Sequence, residues 1–120
     1  MKIFIWVLQV LVVLAFLAAG FGKLTMSVDD MLTQMPWTED FVEWQIRLIG
    51  GLELLGAIGV IVPMFVKQFG KLVPIASICL GVTMIGAAIT HFGREESIIV
   101  PAILGLISFG VAFLRRDMLK

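Results

Sequence analysis

Glu53 is the residue of this chain best placed to do chemistry. It lies inside an otherwise apolar run from Leu48 to Val66. An ionised carboxylate is costly there, and it marks either a partner charge within the protein or a path for a ligand or proton. Three other ionisable side chains fall where they could join it: Lys23 closing the first apolar run, Arg47 ahead of Glu53, and His91 near the end of a third run. A carboxylate beside an amine, a guanidinium or an imidazole can form a buried ion pair, hold the polar head of a ligand, or pass a proton. Each also has a plainer role. Lys23 can snorkel to the headgroups, Arg47 can pair on the surface with Glu43 four residues before it, His91 can sit at the interface, and Glu53 with Lys23 can be a structural lock. Other chemistries lack their residues. One His and one Cys leave few ligands for a protein metal site, and HExxH, a nucleophile elbow and a phosphate loop are all missing. Cys79 has no partner thiol and is expected as a small buried side chain.

These residues need a scaffold, and the composition dictates its class. Hydrophobic residues make up 60% of the 120 and charged ones 15%, too little polar surface to cover a soluble domain. The chain is predicted to be an all-α integral membrane protein. A single domain over 1–120 is expected, a bundle of four transmembrane helices over about 3–23, 39–66, 72–92 and 98–114. At 1.5 Å per residue the first apolar run extends about 28 Å, close to the hydrocarbon thickness. Lys2 and the small residues Ala18-Ala19-Gly20 give that run the look of a signal peptide, but its apolar character continues through Phe21, so a retained helix is expected. The bilayer is the first partner. Basic residues are few and flank the spans, which argues against nucleic acid.

Charge in the short connections sets the orientation. With four spans, Lys2, Lys67, Lys71, Arg115, Arg116 and Lys120 share one side, and Lys23, Arg47 and Arg94 the other. Both termini are therefore expected in the cytoplasm of a cell (inner, plasma) membrane. The long first connection should hold a short amphipathic helix on the outer surface, begun by Ser27 with Asp29 and Asp30. Pro36 and Thr38 mark a stop and restart. Trp37, Phe41 and Trp44 then recur at i, i+4 and i+7, as one face of a helix running into the second span. That face suits an aromatic interface belt or a lid over a pocket. Pro74 and Pro101 fall in first helical turns, where a missing N–H costs little.

Helical geometry groups the candidates. At about 100° per residue, Ile49, Gly50, Gly56, Ala57 and Val60 fall within about 60° of Glu53, while Leu48, Leu55, Ile58 and Val62 face away toward lipid. Gln9, Phe16, Ala19, Gly20 and Lys23 form a stripe on the first helix. Ser77, Leu80, Met84, Ala87, Ala88 and His91 form another on the third. Each stripe ends in an ionisable group in the outer half of the bundle. The last helix offers only Gly105, Ser108 and Gly110, which suggest close packing.

The segments Ala19-Gly20-Phe21-Gly22-Lys23-Leu24, Arg47-Leu48-Ile49-Gly50-Gly51-Leu52-Glu53-Leu54-Leu55-Gly56-Ala57-Ile58-Gly59-Val60-Ile61-Val62-Pro63 and Met84-Ile85-Gly86-Ala87-Ala88-Ile89-Thr90-His91 together resemble DoxX-like membrane proteins, over nearly the whole chain. The resemblance implies a small four-helix membrane protein from a family named after a quinone-linked thiosulfate oxidation system. Some members act as accessory subunits in redox-stress complexes, and animal relatives assist receptor assembly. Lys23 and Glu53 match its charged positions. This chain has no thiol pair and no bound-cofactor motif, so no residue is assigned a catalytic role and the chain is not expected to be an enzyme on its own.

The expected function is binding or accessory. A small pocket near the non-cytoplasmic face would have Glu53, Lys23, His91 and Arg47 as its polar cluster and Gly50, Gly56, Ala57, Phe16, Met84 and Ala87 as its lining. It would serve a lipid-soluble ligand such as a quinone, a partner membrane protein, or a second copy of the chain. One alternative is a membrane subunit of a quinone-linked oxidoreductase, with electrons from another chain. Another is a small proton-coupled exporter, since four-helix multidrug transporters use one intramembrane glutamate; theirs lies on the first helix, which here carries only Gln9 and Lys23.

Overall fold

The computed structural model describes residues 2–120, which are helical over most of their length with no strand among them. The helices are α1 (Lys2–Thr25), α2 (Val28–Gln34), α3 (Glu43–Ile61), α4 (Leu72–Gly93) and α5 (Ile99–Leu114), with 3₁₀ turns at Pro36–Asp40, Val62–Met64, Lys67–Phe69 and Arg116–Leu119. Three of these elements, α1, α3 with its extension to Met64, and α4, are long and apolar enough to cross a membrane, and α5 is a shorter apolar helix. The longest dimension is 42 Å, which matches the ~40–45 Å of a bilayer with its headgroups.

Local chemistry explains the ends. Ser27 caps α2, its Oγ accepting from the Asp30 N–H at 3.2 Å, with Asp29 and Asp30 in the first turn. Pro74 and Pro101 are the third residues of α4 and α5, where the missing donor breaks no ladder. The second span is shorter than the 39–66 expected. Phe41 and Val42 are extended, at φ −125° and −83°, so Pro36–Asp40 is a separate turn and α3 begins at Glu43. At the other end Pro63 cannot donate, and the helix tightens to 3₁₀ over Val62–Met64. The stripe Trp37, Phe41, Trp44 is therefore not one helical face: Trp37 packs edge-on to Phe41, with ring centroids 5.6 Å apart, while Trp44 is 65% exposed.

Helix α1 packs on α3, α3 on α4, α4 on α5, and α5 back on α1. Backbones meet closely where α1 crosses α3: a Cβ on Gly20 would stand 2.7 Å from the Gly50 carbonyl oxygen. Leu80 fills the space at Gly56, and the ring of Phe109 the space at Gly81. Gly81 carries the contact expected of Gly110, whose own position is open. The apolar centre joins Val12, Val13 and Phe16 of α1 to Ala57 and Val60 of α3, Leu80 and Met84 of α4 and Val111 of α5. Leu48, Leu55, Ile58 and Val62 are exposed on the outside. So is Cys79, against expectation, because the interior face of α4 runs through its neighbour Leu80 and the next position back falls outward.

The start of α1 and the end of α5 share one end of the molecule. There Gln9 Nε2 donates to the Val60 carbonyl at 2.7 Å, one of the last acceptors of α3, and Gln9 Oε1 accepts from Arg115 Nε at 3.0 Å. The Arg115 guanidinium lies 5.4 Å from the Trp6 ring centre, and Trp6 packs near Phe65. The opposite end gathers the first connection, the start of α3, the end of α4 and the start of α5.

Candidate functional site

Lys23 and Glu53 meet inside the protein at that second end. Glu53 is 1% exposed and Lys23 8%, and Lys23 Nζ donates to Glu53 Oε1 at 2.6 Å. The close crossing of α1 and α3 is what allows this. With no side chain at Gly50, the Lys23 Cβ lies against the α3 backbone and the amine reaches inward to the carboxylate instead of up to the headgroups. Two opposite charges removed from water are tolerable only when paired in this way.

Arg47 plays a different part from the one expected of a site residue. Its Nη1 donates to the carbonyls of Lys23 at 2.8 Å and Met26 at 2.7 Å, while Nη2 holds Glu43 at 3.1 Å. A guanidinium thus satisfies the last carbonyls of α1, where the helix dipole is negative. It ties α1 to α3 just above the buried pair, and it does not line the cavity described next.

The pair opens onto a cavity of about 440 Å³. Ala19 and Lys23 of α1, Ile49 and Glu53 of α3, and a run of α4 from Thr83 to His91 form its walls. Val100, Pro101 and Leu104 of α5 close a further side, though that helix carries no polar stripe. Met35, Trp37 and Phe41 form the roof. Met84 and Ala87 line the cavity, but Phe16, Gly50, Gly56 and Ala57 do not. Helix packing consumes those four: Phe16 and Ala57 are fully buried in the core, Gly50 is covered by Lys23 and Gly56 by Leu80.

His91 stands at the rim, its ring edge-on to Trp37 at 6.2 Å between centroids. Helix α4 ends in a Schellman turn, the Glu96 N–H bonding the His91 carbonyl at 2.8 Å and the Glu95 N–H that of Phe92 at 3.1 Å. Glu95 takes the left-handed position at φ 59°, where a side chain costs ~1–2 kcal/mol that glycine would not. The turn brings Glu96 back between an imidazole and a guanidinium, with Oε1 2.8 Å from His91 Nδ1 and Oε2 3.1 Å from Arg94 Nε. Arg94 Nη1 then reaches the first connection, bonding Asp40 at 2.9 Å and Glu39 at 3.0 Å. The His91 hydrogen bond, with Arg94 beside it, holds the Glu96 carboxyl below its ordinary range. Hydrogen bonds to Asp40, Glu39 and Glu96 raise the already high Arg94 pKa further. Arg94 so straps the Pro36–Asp40 turn, and with it Trp37, across the cavity. The sequence offered Arg94 only as a charge in an outer connection and not as a site residue, because its partners lie 54 and 55 residues away.

The arrangement suits binding. A neutralised ion pair floors a mostly apolar chamber, and the Lys23 amine also lies 5.7 Å from the Trp37 ring centre. Among the described residues no three His, Cys, Asp or Glu side chains gather to hold a metal ion.

Compared with curated proteins and with solved structures, nothing matches the chain. The family comparison does. A model described as the DoxX-like family matches residues 7–111, from the first turns of α1 to the last turn of α5. With Lys23, Glu53 and His91 all inside that span, the chain belongs to the DoxX-like family, and its apolar helices make it a multi-pass membrane protein.

Proposed function

We propose that this chain is a binding or accessory protein of a cell membrane, holding a lipid-soluble ligand in the cavity above the Lys23–Glu53 pair. One observation carries the reading: a buried ion pair faces a chamber of about 440 Å³ whose remaining walls are mostly apolar, with Thr83, Thr90 and His91 as their polar side chains, within the ~300–1,000 Å³ usual for small-ligand sites. An ion pair serving only to lock two helices has no use for such a chamber. A quinone in its reduced, dihydroxy form is one ligand of this class, since a ring hydroxyl can accept from the Lys23 amine and donate to Glu53 while the Trp37 ring stacks on it. A partner membrane complex would receive the ligand or hold the chain in place.

In the same reading all four long helices cross the membrane, α5 as a short span, with both termini in the cytoplasm. The excess of Lys and Arg at the end holding the termini supports that orientation. Purification in mild detergent, followed by mass spectrometry of co-purifying lipids, quinones and proteins, tests the proposal. The parent should carry a stoichiometric small molecule that Glu53→Gln loses while remaining folded. Equal retention by Glu53→Gln and parent would overturn the assignment of the site.

A further inference from the structure

The cavity is closed above and open at the side. Trp37 and Phe41 cover the aqueous end, strapped by Arg94. Helices α3 and α4 are in tight contact where Leu80 meets Gly56 and Ala76 meets Gly59, nearer the other end. Toward the cavity their facing residues stand in view of the membrane: Ile49, Thr83 and Thr90 are half-buried and Gly86 is exposed, with open space where a Cβ would be. The Thr83 and Thr90 hydroxyls donate to the Cys79 and Gly86 carbonyls of their own helix, which leaves their lone pairs as acceptors at the mouth.

The floor has a defined hydrogen-bonding character too. Glu53 Oε1 is taken by Lys23, and the other carboxylate oxygen has no donor among the described residues. The Lys23 amine carries three N–H groups and uses one on Glu53. A free acceptor and free donors therefore stand side by side on a pair whose charges cancel. A ligand bringing net charge would be desolvated against that neutral floor with nothing to repay it. A head that only accepts would leave the Glu53 oxygen unanswered.

We propose that the cavity takes a single-chain, uncharged amphiphile sideways from the bilayer between α3 and α4, its head a hydroxyl or similar group that both donates and accepts at the Lys23–Glu53 pair. The inference rests on the cavity being a ligand site and specifies which chemistry it selects and by which route. A volume of about 440 Å³ lies in the lower half of the range for drug-sized ligands and fits one chain with a small head.

The test uses fluorescence quenching by brominated single-chain probes. Trp6→Phe with Trp44→Phe leaves Trp37, in the roof, as the sole tryptophan. Four probes of equal chain length, an alcohol, a methyl ketone, a sulfate and a trimethylammonium, are titrated into the protein in mild detergent, and native mass spectrometry of the unaltered chain supplies an independent readout. The alcohol should quench saturably and bind at least about tenfold tighter than the other three, the margin of one hydrogen bond left unmade in a buried site. Gly86→Leu, which fills the mouth, should reduce alcohol binding about tenfold, while Gly51→Leu, at an open position away from the cavity, should not. Ketone, sulfate or ammonium binding as tightly as the alcohol would overturn the head-group selection and leave the cavity a ligand site. Unchanged alcohol binding in Gly86→Leu would overturn the lateral route. No saturable quenching or adduct with any probe would overturn the ligand site itself.

Discussion

Breaking the Lys23–Glu53 pair from either side should cost far more than removing it whole. The two groups are 8% and 1% exposed, with Nζ and Oε1 2.6 Å apart; taking one partner from such a pair leaves an uncompensated charge, at about 3–5 kcal/mol. The two single changes should not be equal. Lys23 lies two residues from the end of α1, and its long stem lets the amine climb to the headgroups once Glu53 is gone, so Glu53→Leu should fall near the lower figure. Glu53 sits about 15 Å along α3 from its start, with a stem too short to reach water, so Lys23→Met should fall near the upper one. The double variant, of similar volume and fully apolar, should return to within about 1 kcal/mol of the parent. Equilibrium unfolding in mixed micelles, followed by circular dichroism against the mole fraction of a denaturing detergent, yields all four corners of the cycle. The coupling should be at least about 2 kcal/mol. Losses that add to within about 0.5 kcal/mol would refute the reasoning, because they would mean that the pair does not hold α1 to α3.

Gly20→Leu should destabilise by about 1–3 kcal/mol or more in the same assay, since its Cβ would stand 2.7 Å from a carbonyl oxygen and 2.9 Å from a backbone nitrogen of α3, neither of which can move aside; Gly51→Leu, with open space around it, should be near neutral. The clasp of His91, Glu96 and Arg94 should be pH-sensitive. Glu96 is held below its ordinary value of 4.5, so its stabilising effect is fully present above that value and is lost as pH falls through the lowered one. The protection of the 36–40 turn against hydrogen exchange, taken relative to the unstructured rate at each pH, should therefore fall below about pH 4.5, and Arg94→Gln should show low protection already at neutral pH. No difference between Arg94→Gln and parent would mean that the strap does not hold the turn. For topology, Lys71→Cys and Lys120→Cys should label from one side of the membrane and Glu39→Cys from the other. Labelling of Lys71→Cys and Lys120→Cys from opposite sides would end the four-span proposal.

Much of the architecture was legible because its causes are local. Apolar runs of membrane length, Ser27 before two aspartates, and prolines in first turns act within a few residues of themselves, and the structure places helices accordingly. The 100° periodicity likewise put Leu48, Leu55, Ile58 and Val62 on the outside, where they are exposed. Periodicity failed where a distant contact overruled it. Trp37 and Phe41 kept the spacing of a helix, but the chain is extended at Phe41–Val42, and Glu39 and Asp40 bond Arg94, more than fifty residues on. It failed again for Gly50 and Gly56. A small residue on an inward face serves a cavity or a neighbouring helix equally well, and only the positions of Lys23 and Leu80 decide that both are filled.

By itself, the sequence determined that this protein lives in a membrane, which runs form its helices, and that Glu53 needs a partner, because each follows from the transfer of particular side chains between water and hydrocarbon. The tertiary structure decided the rest. That Lys23 turns inward, that Arg47 caps α1, and that Arg94 straps an aromatic roof over the buried pair all depend on contacts across 21 to 55 residues of chain. A sequence pattern can offer such pairings as alternatives but does not choose among them; the crossing of α1 and α3 at Gly20 and Gly50, and the turn at Glu95, bring those groups within reach of one another.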